Sequence, residues 1–330
     1  MDAPRELSYA EAIAEATDQA MQLDRSVIVI GQGTRDRGHI FGTVAGLFEK
    51  YGPERIIEMP LSEAAVAGVA IGAALDGLRP VLILQRTDFV FLIMDQLINQ
   101  AAKWRFTFGG RGRVPLTLRL ITGKGWGQGP QHSQSLHATF GHFPGLRVAM
   151  PTEPDDAKGL LLNAIFSDDP TVILETRPLF ARRGEVPEAP YTRPFGRARI
   201  LRPGSDVTVV ATAYLLPEAL AAAASLAAEG ISAEVIDPVS VSPLDQAAII
   251  ASVSRTRRLV VADASWAPFG FASELAAIVG EKLFGVLSAP VRRVTLPFTP
   301  APTARALEQA YYPNAATVAA AVKSVLSPPV

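Results

Sequence analysis

Ser62-Glu-Ala-Ala-Val-Ala-Gly-Val-Ala-Ile-Gly-Ala-Ala-Leu75, followed after Asp76-Gly-Leu-Arg79 by Pro80-Val-Leu-Ile-Leu-Gln85, decides the fold class. The first run is long enough for a helix and is built almost wholly of small apolar residues. The second is a short unbroken apolar run, the pattern of a strand buried on both faces of a parallel sheet. Upstream, Ser8-Tyr-Ala-Glu11 reads as a capping box opening a helix to about Leu23, and Val27-Ile-Val-Ile30 as the strand after it. Downstream, a helix is expected over 89–104, a strand over 114–121, a helix capped by Thr152 and reaching about Phe166, and a strand over 171–175. Strict alternation of this kind implies right-handed crossovers and a helix-covered sheet.

From Arg182 to Arg202 the chain is rich in Pro, Gly and Arg and has no period, which reads as a surface linker. Alternation then resumes, with strands expected over 207–211, 231–236 and 259–262 and helices over 217–229, 243–253 and 271–283. Ser242, Pro243 and Asp245 mark the start of the second of these helices. The fold class is therefore α/β, with two domains, each a mostly parallel sheet covered by helices. The boundaries fall at 1–185, a linker at 186–203, and 204–330.

Composition narrows the function. The 330 residues carry 31 Lys plus Arg against 32 Asp plus Glu, which disfavours a nucleic-acid partner held by a basic surface. There is no Cys, which removes disulfides, thiolate metal sites and thiol nucleophiles together and fits a cytoplasmic location. Met1-Asp-Ala-Pro-Arg-Glu6 lacks a secretory pattern. No apolar run reaches the roughly 18 residues of a membrane span.

Three of the four histidines, His132, His137 and His142, recur at intervals of five. That is not the i, i+4 spacing of a helical zinc pair, and His137 and His142 read as structural. His132 follows Gly123-Lys-Gly-Trp-Gly-Gln-Gly129, a glycine-rich loop after a strand, where α/β proteins place ligands and where a histidine can exchange protons. That loop lacks the G-x-x-G spacing of a dinucleotide fingerprint. Gly31-Gln-Gly33 would need its third glycine at Asp36. Glu63 falls in the first turn of the small-residue helix. A helix-dipole role accounts for it at about 0.3–1 kcal/mol. Gly68 and Gly72, however, would admit a close backbone and bury the carboxylate, which could then hold or pass a proton.

Taken in order, Met59-Pro-Leu-Ser-Glu-Ala-Ala65, Gly77-Leu-Arg-Pro80, Asp95-Gln-Leu-Ile-Asn-Gln-Ala-Ala-Lys103, Gln131-His-Ser-Gln-Ser135, Pro144-Gly-Leu-Arg-Val148, Asp156-Ala-Lys-Gly159, Ser242-Pro-Leu-Asp245 and Ala306-Leu-Glu-Gln-Ala-Tyr311 resemble the beta subunit of the decarboxylating component of 2-oxo acid dehydrogenase complexes, of pyruvate, branched-chain and acetoin type. The resemblance covers nearly the whole chain. It implies a transketolase-like pyrimidine-binding domain followed by a transketolase C-terminal-like domain that serves in dimerisation and docking. It also implies thiamine diphosphate as cofactor. Glu63 would hydrogen-bond N1′ of the aminopyrimidine and so promote loss of the C2 proton. Leu61, Gln85 and Phe89 would lie beside that ring, and His132, with Gln131 next to it, would meet substrate. The hard chemistry belongs to the cofactor.

The chain has no G-D-G followed downstream by N-N, the family's Mg²⁺ and diphosphate site. The resemblance assigns that site to an alpha-type partner in an α2β2 heterotetramer with active sites at subunit interfaces. A small 2-oxo acid would be the substrate and a lipoyl-bearing acyltransferase the acceptor. Some members bind K⁺ beside the turn matching Ala164 to Asp169. The chain departs from the family at Gly31-Gln-Gly33, where the second residue is usually acidic, and at Gln85-Arg-Thr-Asp-Phe89, where Arg86 replaces an apolar residue. Arg86 would either select a carboxylate-bearing substrate or form a salt bridge with Asp88 or with an acid of the partner subunit. Two other readings remain: a stand-alone enzyme that forms C–C bonds to make an acyloin, and a non-catalytic scaffold.

Overall fold

The computed structural model describes residues 5–36 and 38–327. The chain forms two compact units, one made by the residues up to 124 together with 140–195, the other by 125–139 together with those from 196 onward.

In the first unit β1 (Glu6–Ser8) leads into α1 (Tyr9–Leu23). The capping box is realised. Ser8 Oγ accepts from the Glu11 amide at 3.2 Å, and the Glu11 carboxylate accepts from the Ser8 amide at 2.7 Å. There follow β2 (Val27–Gly31), α2 (Leu47–Tyr51), β3 (Ile56–Glu58), α3 (Glu63–Leu75), β4 (Arg79–Leu84), α4 (Ala102–Thr107), β5 (Thr117–Thr122), α5 (His137–Gly141, whose residues up to 139 belong to the second unit), β6 (Arg147–Ala149), α6 (Pro154–Ile165), β7 (Thr171–Thr176) and β8 (Arg183–Glu185). Six of these strands pair in the order β6-β7-β5-β4-β2-β3, every pair parallel. The central strands are wholly buried, as unbroken apolar runs require when helices cover both faces.

In the second unit come β9 (Arg199–Arg202), β10 (Val207–Ala211), α7 (Leu215–Ala227), β11 (Ala233–Asp237), β12 (Ser240–Ser242), α8 (Gln246–Thr256), β13 (Leu259–Trp266), α9 (Phe271–Lys282), β14 (Arg292–Leu296), α10 (Arg305–Tyr311) and α11 (Ala315–Leu326). The sheet runs β14-β13-β10-β11-β9, parallel except for the antiparallel edge strand β9. Val210, Ile236, Val261, Phe271 and Leu275 centre its core.

Several expectations are corrected. The helix expected over 89–104 is three segments: a 3₁₀ stretch Thr87–Ile93, a π stretch Asp95–Ala101, then α4. Two exposed rings, Phe89 and Phe91, alternate with the buried Val90 and Ile93, a pattern a uniform 3.6-residue winding would not produce. Thr152 does not cap α6. The helix starts with Pro154 at its first position behind Glu153, because proline there forgoes only an amide that would be unpaired anyway. The helix expected from Pro243 begins at Gln246, with Asp245 as its cap accepting from the Ala248 amide at 3.1 Å. The stretch expected as a plain linker contains β8, which pairs with β1, and β9. Backbone pairing there owes nothing to apolar period, so periodicity missed it.

Candidate active site

Strand ends at the carboxyl edge of the first unit's sheet carry most of the residues singled out from sequence. Glu58, closing β3, accepts from the Gly33 amide at 2.7 Å, from Thr34 Oγ1 at 2.6 Å and from the Arg35 amide at 3.2 Å. Burial pushes this carboxyl up, but the Thr34 hydroxyl and the three amides of residues 33–35 outweigh it and hold it below the usual carboxylate value. Glu58 thus pins the turn after β2. Gln85 Nε2, following β4, donates to the Gln32 carbonyl at 2.6 Å, and Gln32 Nε2 donates to the Pro60 carbonyl at 3.2 Å. Gln32, standing where an acid was expected, therefore ties Gln85 to the turn before Leu61. Gly33 is required there: its φ is +74°, and a Cβ would sit 2.4 Å from Gln85 Nε2.

Glu63 opens α3 and is half-buried. Among the described residues its carboxylate has no hydrogen-bond or ion-pair partner. Leu61 is 82% exposed and Phe89 38%. The 3₁₀ segment bearing Phe89 packs against α3. An unpartnered carboxyl at the start of α3, with exposed apolar side chains on the segments next to it, fits an aminopyrimidine: a group that can share a proton with its ring nitrogen, and surfaces for its faces. Gly68 and Gly72 are corrected to exposed positions, with nothing within 4 Å of an added Cβ. The helix buries the opposite stripe, Val66, Ala67, Ala70, Ile71 and Ala74.

Arg86 is half-buried. Nη1 donates to the Gln85 carbonyl at 2.7 Å, and Nε is buried without a partner. The salt bridge expected with Asp88 is not formed. Among the described residues no carboxylate lies within ion-pair distance of this guanidinium, and Asp88 acts on it only as a neighbouring charge.

The second unit carries the glycine loop. Gly125, Trp126, Gly127 and Gly129 all have positive φ. A Cβ on Gly129 would meet Thr303 Oγ1 at 2.6 Å, so only glycine lets the loop lie there. His132 is half-buried and Gln131 exposed. Beyond them the chain turns inward: Ser133, Ser135, Leu136 and His137 are buried. His137 Nε2 meets Asp263 Oδ1 at 2.8 Å, and Ser135 Oγ lies 3.2 Å from Nδ1. Thr212 Oγ1, Ser265 Oγ and the Ala272 amide also donate to Asp263. His137 is structural, as read, while His142 is exposed. The Asp263 partner, 126 residues away, had no local signal. Among the described residues no group of three His, Asp or Glu could hold a metal.

At the turn after α6, the Ala164 carbonyl accepts the Ser167 amide at 3.1 Å. The Asp169 carboxylate is taken by Arg105 Nε at 2.5 Å. A potassium ion here would depend on carbonyl oxygens. Among the described residues no helix is long and apolar enough to cross a membrane.

Residues 5–182 match the pyrimidine binding domain of transketolase, and residues 196–318 match the transketolase C-terminal domain. The chain is 43% identical over 332 residues to the acetoin:2,6-dichlorophenolindophenol oxidoreductase subunit beta of Cupriavidus necator, covering 98% of each chain. It is 38% identical to the 2-oxoisovalerate dehydrogenase subunit beta of Bacillus subtilis, covering 97% of this chain and 98% of that one. It is 39% identical to the mitochondrial pyruvate dehydrogenase E1 component subunit beta-2 of Oryza sativa subsp. japonica, covering 97% and 86%. In structure it resembles a split gene transketolase, an inactive beta4 tetramer, with a TM-score of 0.78 at 24% identity over 97% of this chain and 98% of that one.

Proposed function

Because the chain belongs to the beta-subunit family of thiamine diphosphate-dependent 2-oxo acid dehydrogenases, we propose that it supplies the aminopyrimidine half of an active site completed by an alpha-type subunit. The reaction is decarboxylation of a small 2-oxo acid with transfer of the acyl group to a lipoyl acceptor. The observation that carries this reading is the half-buried Glu63 carboxylate without a protein partner, set at the same sheet edge as Gln85 and the exposed Leu61 and Phe89. Thiamine diphosphate, when bound there, would supply the nucleophile and the electron sink that decarboxylation requires. Glu63 would hydrogen-bond the ring nitrogen and exchange a proton with it. Leu61 and Phe89 cover the ring and keep water from it. Gln85, fixed by Gln32, limits its position. His132 exchanges protons with substrate from the glycine loop, with Gln131 beside it.

Mg²⁺ and the diphosphate fall to the alpha subunit, and the assembly is a cytoplasmic α2β2 heterotetramer. Its partner would cover the exposed small-residue face of α3 formed by Ala64, Ala65, Gly68, Val69 and Gly72. K⁺, if bound, sits at the turn of Ala164 and Asp169. The acyloin-forming reading uses the same residues and differs only in the acceptor, an aldehyde or ketone instead of a lipoyl group.

Calorimetric titration of thiamine diphosphate with Mg²⁺, on this chain alone and with its co-encoded alpha-type subunit, tests the reading. Tight binding in the mixture only is expected. No binding in either would leave a scaffold as the better account.

A further inference from the structure

Three loops at the carboxyl edge of the first unit's sheet place Phe41, Arg86 and Arg177 together. Phe41 lies in the loop after β2, Arg86 stands two residues past the end of β4, and Arg177 directly follows β7. The guanidinium carbons of Arg177 and Arg86 lie 4.1 Å and 5.3 Å from the centre of the one Phe41 ring. Both distances are within cation–π range. We propose that Arg86 and Arg177, held on Phe41, bind a second carboxylate of the substrate, remote from its 2-oxo acid end, so that the preferred substrate is a dicarboxylic 2-oxo acid.

This inference rests on the function proposed above and names its substrate class. Four observations support it. Two like charges share one ring, an arrangement that favours an anion between or beside them. Burial, then the neighbouring Arg177 charge, weakens the hold of Arg86 on its proton, and Asp88 offsets this only in part. Arg86 Nε is buried without an acceptor, and a carboxylate gripped by the planar guanidinium fork would satisfy it. The backbone that presents Phe41 is held out of ordinary geometry: His39, Ile40 and Phe41 have φ of 42°, 48° and 60°. Three successive non-glycine residues in the left-handed region, one of them β-branched, are strain of the kind retained at binding sites. The place is also right. Arg86 neighbours Gln85, and parallel α/β sheets bind ligands outside the carboxyl ends of their strands.

The assembled enzyme is assayed with 2-oxoglutarate and with 2-oxobutyrate, as wild type, Arg86→Met and Arg177→Met. Wild type is expected to favour the dicarboxylic substrate in kcat/KM. Each variant is expected to lower the ratio of the two kcat/KM values by about 30-fold, mostly through KM, the scale of a lost charge-assisted hydrogen bond. Arg86→Lys, which keeps charge without the fork, should restore part of the ratio. An unchanged ratio in both Met variants overturns the proposal. If wild type turns over no 2-oxo acid, the functional reading fails, and the anion site is judged on the full chain alone. Calorimetry there uses glutarate and inorganic phosphate. Glutarate binding that Arg86→Met abolishes supports a carboxylate site. Absence of glutarate binding, or equal Arg86-dependent binding of phosphate, overturns it.

Discussion

His137 Nε2 lies 2.8 Å from Asp263 Oδ1, and both side chains are wholly buried in the second unit. The pair fastens residues 125–139, the stretch that carries His132, to the strand β13. Burial alone would raise the Asp263 carboxyl. The charge and hydrogen bond of His137, then the Ser265 hydroxyl and the Ala272 amide, hold it below the ordinary value.

Asp263→Asn or His137→Ala should each cost about 3–5 kcal/mol, because removing one partner leaves the other buried and uncompensated. Urea unfolding of the full chain measures this. The sign of the pH effect follows from the lowered carboxyl. Its contribution is complete above the unfolded aspartate value near 3.8 and is lost as pH falls from there through the folded one. Wild type should therefore lose stability below that value more steeply than Asp263→Asn. Parallel curves would show that the pair contributes nothing on acidification.

A second buried pair should behave differently when both members are changed. Arg119 meets Glu175 at 2.5 and 2.9 Å on the neighbouring strands β5 and β7, with neither side chain exposed. Glu175→Ala alone should cost about 3–5 kcal/mol, whereas the double variant Arg119→Met, Glu175→Leu should lie within about 1 kcal/mol of wild type or above it. A double-mutant cycle reads the coupling. Equal losses in the single and double variants would refute the account.

At the glycine loop, Gly129→Ala meets two penalties: a left-handed φ of +70° and a contact 2.6 Å from Thr303 Oγ1. The backbone part amounts to about 1–3 kcal/mol. Adding Thr303→Ala removes the contact but not the φ strain, so the double variant should recover stability only in part. Full recovery in thermal melts would mean that the backbone conformation costs nothing.

Glu63→Gln should lower turnover of the assembled enzyme by at least about a hundredfold, the general scale for a positioned acid–base group. The unfolding curve of the chain alone should stay where it is, since no residue among those described bonds the carboxylate. Unchanged turnover would end the catalytic role of Glu63. A shifted unfolding curve would mark it as a structural group.

The local rules read much of this molecule. The capping box of Ser8 and Glu11, the apolar runs of β2, β4, β7 and β10, and the small-residue helix α3 are all visible, because a capping box spans four residues and a buried strand five or six. The residues set apart as chemical, Glu63, Gln85, Phe89 and Arg86, fall at strand ends and a helix start, where punctuation in the sequence marks them. Winding was less legible. From Thr87 to Thr107 the backbone changes from 3₁₀ to π to α within one apolar stretch, and the choice is made by what each ring packs against.

Two α/β units, the alternation of their main strands and helices and several side chains at strand ends could be read from the sequence alone, since these follow from hydrophobic period and turn chemistry within a few residues. Which of those side chains meet depends on how the chain packs. Arg177 reaches the ring that Arg86 touches because β7 and β4 flank β5 in the sheet, and His137 reaches Asp263 across 126 positions. Which face of α3 is covered was likewise settled by packing, its Val66 and Ala70 stripe inward and its Gly68 and Gly72 side outward. Strand order and helix rotation are global outcomes of burying all the apolar surface at once, and no single stretch of chain encodes them.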